Sequence, residues 1–183
     1  IAADSKGTVH VVWNDWRNDA DGEFVVGGGV DGVNNQDVYY ANSTDGGKTW
    51  SLNTKINDDI GTAWQAANYR SIVVDNNDKI HVIWMDLRNG GTVPDVFYAN
   101  STDGGVTFSQ NKRINDVQGK AGNCAIAIDD KDNIYVVWDT PPDDPTKSDI
   151  YFSKSIDGGV TFSASKRVND DMGNADQLHP QMA

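Results

Sequence analysis

Cysteine occurs once in 183 residues, at Cys124, so no intrachain disulfide can form. A single thiol in an apolar stretch is expected to be a small buried hydrophobe rather than a nucleophile. Glutamate also occurs once, at Glu23; the other 26 of the 27 acidic residues are aspartate. Any chemistry that needs a glutamate base therefore has one position to draw on. No apolar run approaches the ~20 residues needed to cross a bilayer, so no membrane span is expected. Cationic residues number only 15, leaving a formal charge of -12, and this excess disfavours phosphate backbones and anionic lipid; nucleic acid is not an expected partner.

What the sequence has in quantity is Asp, Asn and Gly, which supply turns and the hard oxygen ligands that calcium prefers. It also repeats itself. Three segments align: Ser43-Thr44-Asp45-Gly46-Gly47-Lys48-Thr49-Trp50, Ser101-Thr102-Asp103-Gly104-Gly105-Val106-Thr107-Phe108 and Ser155-Ile156-Asp157-Gly158-Gly159-Val160-Thr161-Phe162. Upstream of each lies a β-branched run ending in Trp, Val9 to Trp13, Ile80 to Trp84 and Ile134 to Trp138. Before those sit short apolar strands closed by Asp4, Asp75 and Asp129. Downstream come Lys55-Ile56-Asn57-Asp58, Arg113-Ile114-Asn115-Asp116 and Arg167-Val168-Asn169-Asp170. Each unit thus offers four short strands, A to D, and no helical period. Because the whole unit recurs, an all-β propeller of four-stranded antiparallel blades fits better than a sandwich.

Asp-Gly-Gly is a strong hairpin signal: Gly accepts the positive φ of the turn, and Asp takes hydrogen bonds from its N–H groups. Ser and Thr hydroxyls satisfy further turn groups, and Trp50, Phe108 or Phe162 is expected to pin the hairpin to its blade. The motif S-x-D-x-G-x-T-[WF] resembles the Asp-box (BNR repeat) of sialidases and related β-propellers, and the resemblance covers essentially the whole chain. It implies structural boxes away from any active site, built here from Ser43, Asp45, Gly47, Thr49 and Trp50, then Ser101, Asp103, Gly105, Thr107 and Phe108, then Ser155, Asp157, Gly159, Thr161 and Phe162. It also implies a six-bladed ring, of which residues 1–183 supply three blades, approximately 1–71, 72–125 and 126–183. The remaining blades are expected from a longer polypeptide or from a second copy that completes the ring.

A scaffold residue recurs in every blade, whereas a site is expected where the symmetry breaks. From Trp to box Asp the spacing is 32 residues in the first unit (13 to 45) and 19 in the others (84 to 103, 138 to 157), so the first B-to-C loop carries 13 extra residues. From box Asp to the next Trp it is 39 (45 to 84) and then 35 (103 to 138), which assigns 4 extra residues to the first D-to-A loop. Strands alternate direction in a blade, so both insertions decorate the face opposite the boxes, where a repeat protein places a binding surface. Neutral drift in exposed loops is the competing explanation.

On that face lie Trp13-Asn14-Asp15-Trp16-Arg17 and Trp84-Met85-Asp86-Leu87-Arg88; the third unit departs, with Trp138-Asp139-Thr140. Since the Asp-Arg pair recurs, one reading is an ion pair that anchors the loop. The other is a cluster of Arg17, Arg70 and Arg88 able to hold a carboxylate bidentately, as the resemblance to sialidases implies for sialic acid. Tyr69-Arg70-Ser71-Ile72 partly matches the aromatic-Arg-Ile-Pro motif of that family. A sialidase also requires a Tyr nucleophile, a Glu and an acid/base Asp, for which the candidates are Tyr69, Glu23, Asp15 and Asp86. Glu23 lies in a Gly-rich insertion, a poor place to hold a base in reach of a nucleophile. Asp19, Asp21 and Glu23 are candidate calcium ligands, with no other cofactor expected, and Trp16 and Trp64 are candidate sugar platforms or packing residues. The resulting expectation is an extracellular or cell-surface module that binds glycan or protein. The alternatives are a sialidase-like glycoside hydrolase (exo-α-sialidase) and a structural surface or adhesin repeat.

Overall fold

A computed structural model describes residues 1–17, 36–59, 63–64, 70–89, 93–116, 121–140, 148–171 and 175–182. Among them there is no helix, and hence none long and apolar enough to cross a membrane. The chain forms three antiparallel sheets, the blades of a sialidase-like β-propeller. The first contains β1 (Ala2–Ala3), β2 (Val9–Asp15), β3 (Asp37–Ser43) and β4 (Thr54–Lys55) in that order. The second contains β5 (Ala63–Trp64), β6 (Ile72–Val74), β7 (Ile80–Asp86), β8 (Asp95–Ser101) and β9 (Lys112–Arg113). The third contains β10 (Cys124–Ile128), β11 (Ile134–Asp139), β12 (Ile150–Ser155) and β13 (Lys166–Arg167).

The recurring polar residues close each sheet in the same way. Asp4 accepts the backbone N–H of Lys6 and Thr8 at 3.0 and 2.7 Å, Asp75 that of Asn77 and Lys79 at 2.8 Å, and Asp129 that of Lys131 and Asn133 at 2.9 Å. This is how a short strand A is turned into strand B. At the other end Asn57, Asn115 and Asn169 each accept a backbone N–H at the start of strand C (Val38, Val96, Ile150) at 2.8 to 2.9 Å. Their side-chain amides donate to Asp37, Asp95 and Asp149 at 2.6 to 2.8 Å.

One sheet departs from the expected layout. β5 and β6 both pair with β7, Ala63–Trp64 against Asp86–Met85 and Ile72–Val74 against Val82–Ile80. Strand A of the second sheet therefore begins at Ala63, upstream of residue 72, and is broken: seven residues, 65–71, pass while β7 advances by two, 83 and 84. The link from strand D is 56–62, shorter than the 114–123 link that follows β9. The extra length assigned to the D-to-A loop is thus carried between β5 and β6.

Apolar residues alternate along each strand and fill two layers. One lies between the first and second sheets, around Val12, Tyr40, Ile56, Val82, Trp84 and Phe97; the other lies between the second and third, around Ile83, Tyr98, Ile114, Ile126, Val136 and Trp138. Each buried Trp faces the preceding sheet.

Candidate functional site

The three boxes share one hydrogen-bond pattern. In the first, Ser43 Oγ donates to Asp45 Oδ1 (2.8 Å) and accepts Gly47 N–H (2.8 Å), while Asp45 accepts Thr49 N–H (2.9 Å) and Thr49 Oγ1–H (2.6 Å). Ser101, Asp103 and Thr107, and Ser155, Asp157 and Thr161, repeat it. These bonds, Thr49 and Thr107 foremost, hold Asp45 and Asp103 at about 2, and Asp157 also lies far below the usual carboxylate range. The paired glycines carry the positive φ, 74° and 87° at Gly46 and Gly47.

The box aromatics do not act on their own sheet. Phe108 meets Tyr40 of the first sheet edge-on at 5.3 Å, and Phe162 meets Tyr98 of the second at 5.1 Å. A Cβ at Gly105 or Gly159 would run into the same Tyr40 or Tyr98 ring. The expectation that the aromatic pins the hairpin to its own blade is therefore corrected: it pins the hairpin to the blade before, because the box overhangs that neighbour. Trp50, the aromatic of the first box, has no such neighbour among the described residues and is 47% exposed.

Asp15 and Asp86 end strand B on the side opposite the boxes, and both are engaged. Asp15 accepts Trp13 Nε1–H (2.9 Å), Arg17 N–H (2.8 Å) and two guanidinium bonds from Arg17 (2.9 and 2.6 Å). Asp86 repeats the pattern with Trp84 (2.9 Å) and Arg88 (2.8 and 2.7 Å). Arg17 above all holds Asp15 at about 2, which makes it unfit to donate a proton near neutral pH. The guanidinium groups fold back along the sheet, 4.1 Å above the Tyr39 ring for Arg17 and 4.2 Å above Phe97 for Arg88, and bond Asn53 and Asn111 beside strand D, each at 3.0 Å.

Arg70 stands elsewhere. It is exposed just before β6, its carbonyl accepts Ile126 N–H of the third sheet (2.9 Å), and its charge is felt at the Ile1 amino group of the first. Arg17 and Arg88 thus serve the outer strands of their sheets, whereas Arg70 directly precedes the inner strand β6. Arg70 makes no ion pair among the described residues. Trp16 is exposed beside Arg17, and Trp64 lies in β5, paired with Met85. Tyr69, Asp19, Asp21 and Glu23 lie outside the described residues, as does most of the 13-residue insertion. Among the described residues no group of three or more His, Cys, Asp or Glu side chains is arranged to hold a metal ion. Cys124 is buried, which pushes its thiol up to about 12 and leaves it inert.

Sequence reasoning missed one buried motif. His10 Nδ1 lies 2.6 Å from Tyr40 Oη, whose hydroxyl donates to Gly104 O in the second box (3.1 Å), while Asp4 flanks the other ring nitrogen at 3.5 Å. Asp75, His81 and Tyr98 repeat the row at 3.4 and 2.7 Å. The signal was a His second in strand B, in the first two units only.

No family model matches the chain, and no curated protein matches it in sequence. Solved structures do. A protein of unknown function from Dyadobacter fermentans gives a TM-score of 0.63 at 18% identity over 90% of this chain and 48% of its own. A Hadza microbial sialidase gives 0.62 at 16% identity over 88% of this chain and 35% of its own. The intramolecular trans-sialidase from Ruminococcus gnavus, in complex with oseltamivir carboxylate, gives 0.51 at 16% identity over 74% of this chain and 27% of its own. The chain spans about half or less of the length of these proteins. At such identities the likeness is one of fold, and the fold is that of the sialidase-type β-propeller.

Proposed function

We propose that the chain is an extracellular β-propeller module that binds acidic glycan on the face opposite the boxes, with Arg70 as the cation that receives a sugar carboxylate. One observation carries this reading: of the three arginines singled out, Arg70 is the one that packing leaves exposed and without an ion pair among the described residues. Its place on the broken inner strand, next to the inner strands of both neighbouring sheets, suits a ligand near the propeller axis. Binding is preferred to hydrolysis because Asp15 and Asp86 are committed to Trp and Arg partners. The sialidase fold of two neighbours supports a sugar as the ligand class.

The test is calorimetric titration of the chain with sialyllactose and with lactose. The acidic sugar is expected to bind, and Arg70→Ala to weaken it by about ten-fold or more, the worth of a charge-assisted hydrogen bond; Arg17→Ala is expected to leave it unchanged. Equal affinity for both sugars, or none for either, would overturn the proposal. Turnover of a sialoside would replace it with the hydrolase reading.

A further inference from the structure

The first two sheets each carry a row of polar groups that begins in the sheet's own A-to-B turn and ends at the box of the sheet that follows. In the first row Asp4 Oδ2 lies 3.5 Å from His10 Nε2, His10 Nδ1 lies 2.6 Å from Tyr40 Oη, and Tyr40 Oη lies 3.1 Å from the Gly104 carbonyl of the second box. In the second row Asp75, His81 and Tyr98 stand 3.4 and 2.7 Å apart, and Tyr98 Oη is the atom that a Cβ at Gly159 of the third box would strike. The tyrosine hydroxyl thus sits between a ring nitrogen of its own sheet and the backbone of the next. A neutral imidazole either accepts at Nδ1 or donates from it, depending on the tautomer, whereas an imidazolium can only donate. Charge on the ring therefore bears directly on the atom that seats the next box.

His10 and His81 are 2% and 0% exposed, so a proton taken up at either ring is hidden from water while the sheets stay together. The charged groups around them are few. Asp4 and Asp75 face the rings from the A-to-B turns, and Asp78 and Asp132 stand behind them in the turns of the following sheets, Asp78 paired with Lys6 at 2.8 Å. Asp103 and Asp157 lie beyond the tyrosines in the boxes, and Lys79, which donates to the Gly158 carbonyl at 2.6 Å, adds a cation beside His81. Burial outweighs the acids and holds both imidazoles below the ordinary histidine range.

We propose that the junctions between the first and second sheets and between the second and third are acid-released seams, with the buried ring of His10 as the trigger of one and that of His81 as the trigger of the other. Opening a seam hydrates its ring and returns the pKa towards about 6.5, so the open form takes up a proton that the closed form resists. Acidification therefore opens the seam and leaves the hydrogen bonds within each sheet intact. The third sheet carries the same row without a histidine. Tyr135 Oη donates to Asp129 at 2.8 Å, Phe152 takes the tyrosine's place, and the two rings stack at 6.1 Å, as His10 and Tyr40 do at 5.9 Å and His81 and Tyr98 at 6.0 Å. A titrating and a non-titrating row thus share one ring geometry.

Residue-resolved amide exchange at about pH 7.5 and about pH 5.5, each referred to the intrinsic rate, tests the proposal. The amides of Ser5, Asp58 and Asn111 bond across the first seam, to Asp78, Asn111 and Asp58, and those of Asn76, Ile126 and Ser165 across the second, to Asp132, Arg70 and Asp116. Between the two conditions the opening constant of both sets is expected to rise by up to about ten-fold, one proton per seam, while amides between β7 and β8 keep theirs. His10→Tyr with Tyr40→Phe installs the third sheet's row in the first sheet and is expected to abolish the response of the first set alone; His81→Tyr with Tyr98→Phe is expected to abolish that of the second alone. In the unaltered chain the His10 and His81 ring resonances are expected to titrate in step with their own seams. Cross-seam amides no more sensitive to acid than those inside a sheet would overturn the proposal without any variant, as would rings that take up protons near pH ~6.5 with the seams still shut. A response that survives the exchange of its own histidine would overturn it too, and would belong to another group.

Discussion

The first and second sheets are built from nearly the same residues and do different things with them. Both carry Trp-x-Asp-x-Arg at the end of strand B, the same Asp, Asn and Ser staples and the same box. In the second sheet Trp84 is fully buried and the Arg88 side chain is 16% exposed, because the first sheet lies against them. In the first sheet Trp13 is half-buried and Arg17 is 43% exposed, with no preceding sheet among the described residues. Local hydrogen bonds are alike in the two, so the difference comes from the neighbour. The value of a position in this protein is set at the junction between sheets more than within one.

Paired substitutions put that comparison at risk. Trp84→Ala is expected to destabilise by about 3 to 5 kcal/mol, and Trp13→Ala by less than half as much, since only the first empties a closed core. Urea titration followed by intrinsic fluorescence reads both, and equal losses would refute the comparison. Next in size is the box glycine. At Gly105 a methyl group meets both a φ of 87° and the Tyr40 ring, whereas at Gly47 it meets the same φ and only the Trp50 ring at 3.8 Å, an ordinary contact. Gly105→Ala is expected to cost about 2 to 5 kcal/mol, strain and overpacking together, and Gly47→Ala about 1 to 2 kcal/mol from the backbone alone. A smaller effect, about 1 to 3 kcal/mol, is expected for Tyr40→Phe, which leaves the buried His10 without its hydroxyl partner.

The smallest effect is in pH. Burial holds His81 and His10 below the ordinary histidine pKa, more by desolvation than Asp75 and Asp4 restore. The unfolded chain takes up these protons near pH ~6.5, where the folded chain does not. Stability is thus complete above that pH and falls as pH drops through it towards the lowered folded values. The box aspartates, depressed instead, support the fold above pH ~4 and are lost as pH falls below it. Thermal melts from pH 7.5 to 5 are expected to slope downwards, and His81→Gln to flatten that slope. A slope unchanged by His81→Gln would assign the acid sensitivity to other groups.

Much of the scaffold was legible because its parts recur. Asp45, Asp103 and Asp157 bond within their own hairpins, as the short-range chemistry of S-x-D-x-G-x-T required. Asn57, Asn115 and Asn169 carried the same signal and close the sheets in the same way. The candidate site was less legible. The recurring Asp-Arg spacing was open to two readings, and the bonds from Arg88 to Asp86, Asp58 and Asn111 are what the anchoring reading calls for. The break in strand A looked like a longer loop, because sequence spacing counts residues and not which of them pair.

The sequence by itself determined the repeat, the four-strand unit, the turns and the box chemistry, all of which act over a few residues and need no neighbour. Only the tertiary structure decided that box aromatics clasp the preceding sheet, and that Arg17 and Arg88 lie along outer strands while Arg70 directly precedes an inner one. Those outcomes depend on packing between segments some 50 to 80 residues apart, as in the bond from Lys79 to Gly158, whose ends are 79 positions apart, and periodicity along the chain does not encode which face meets which.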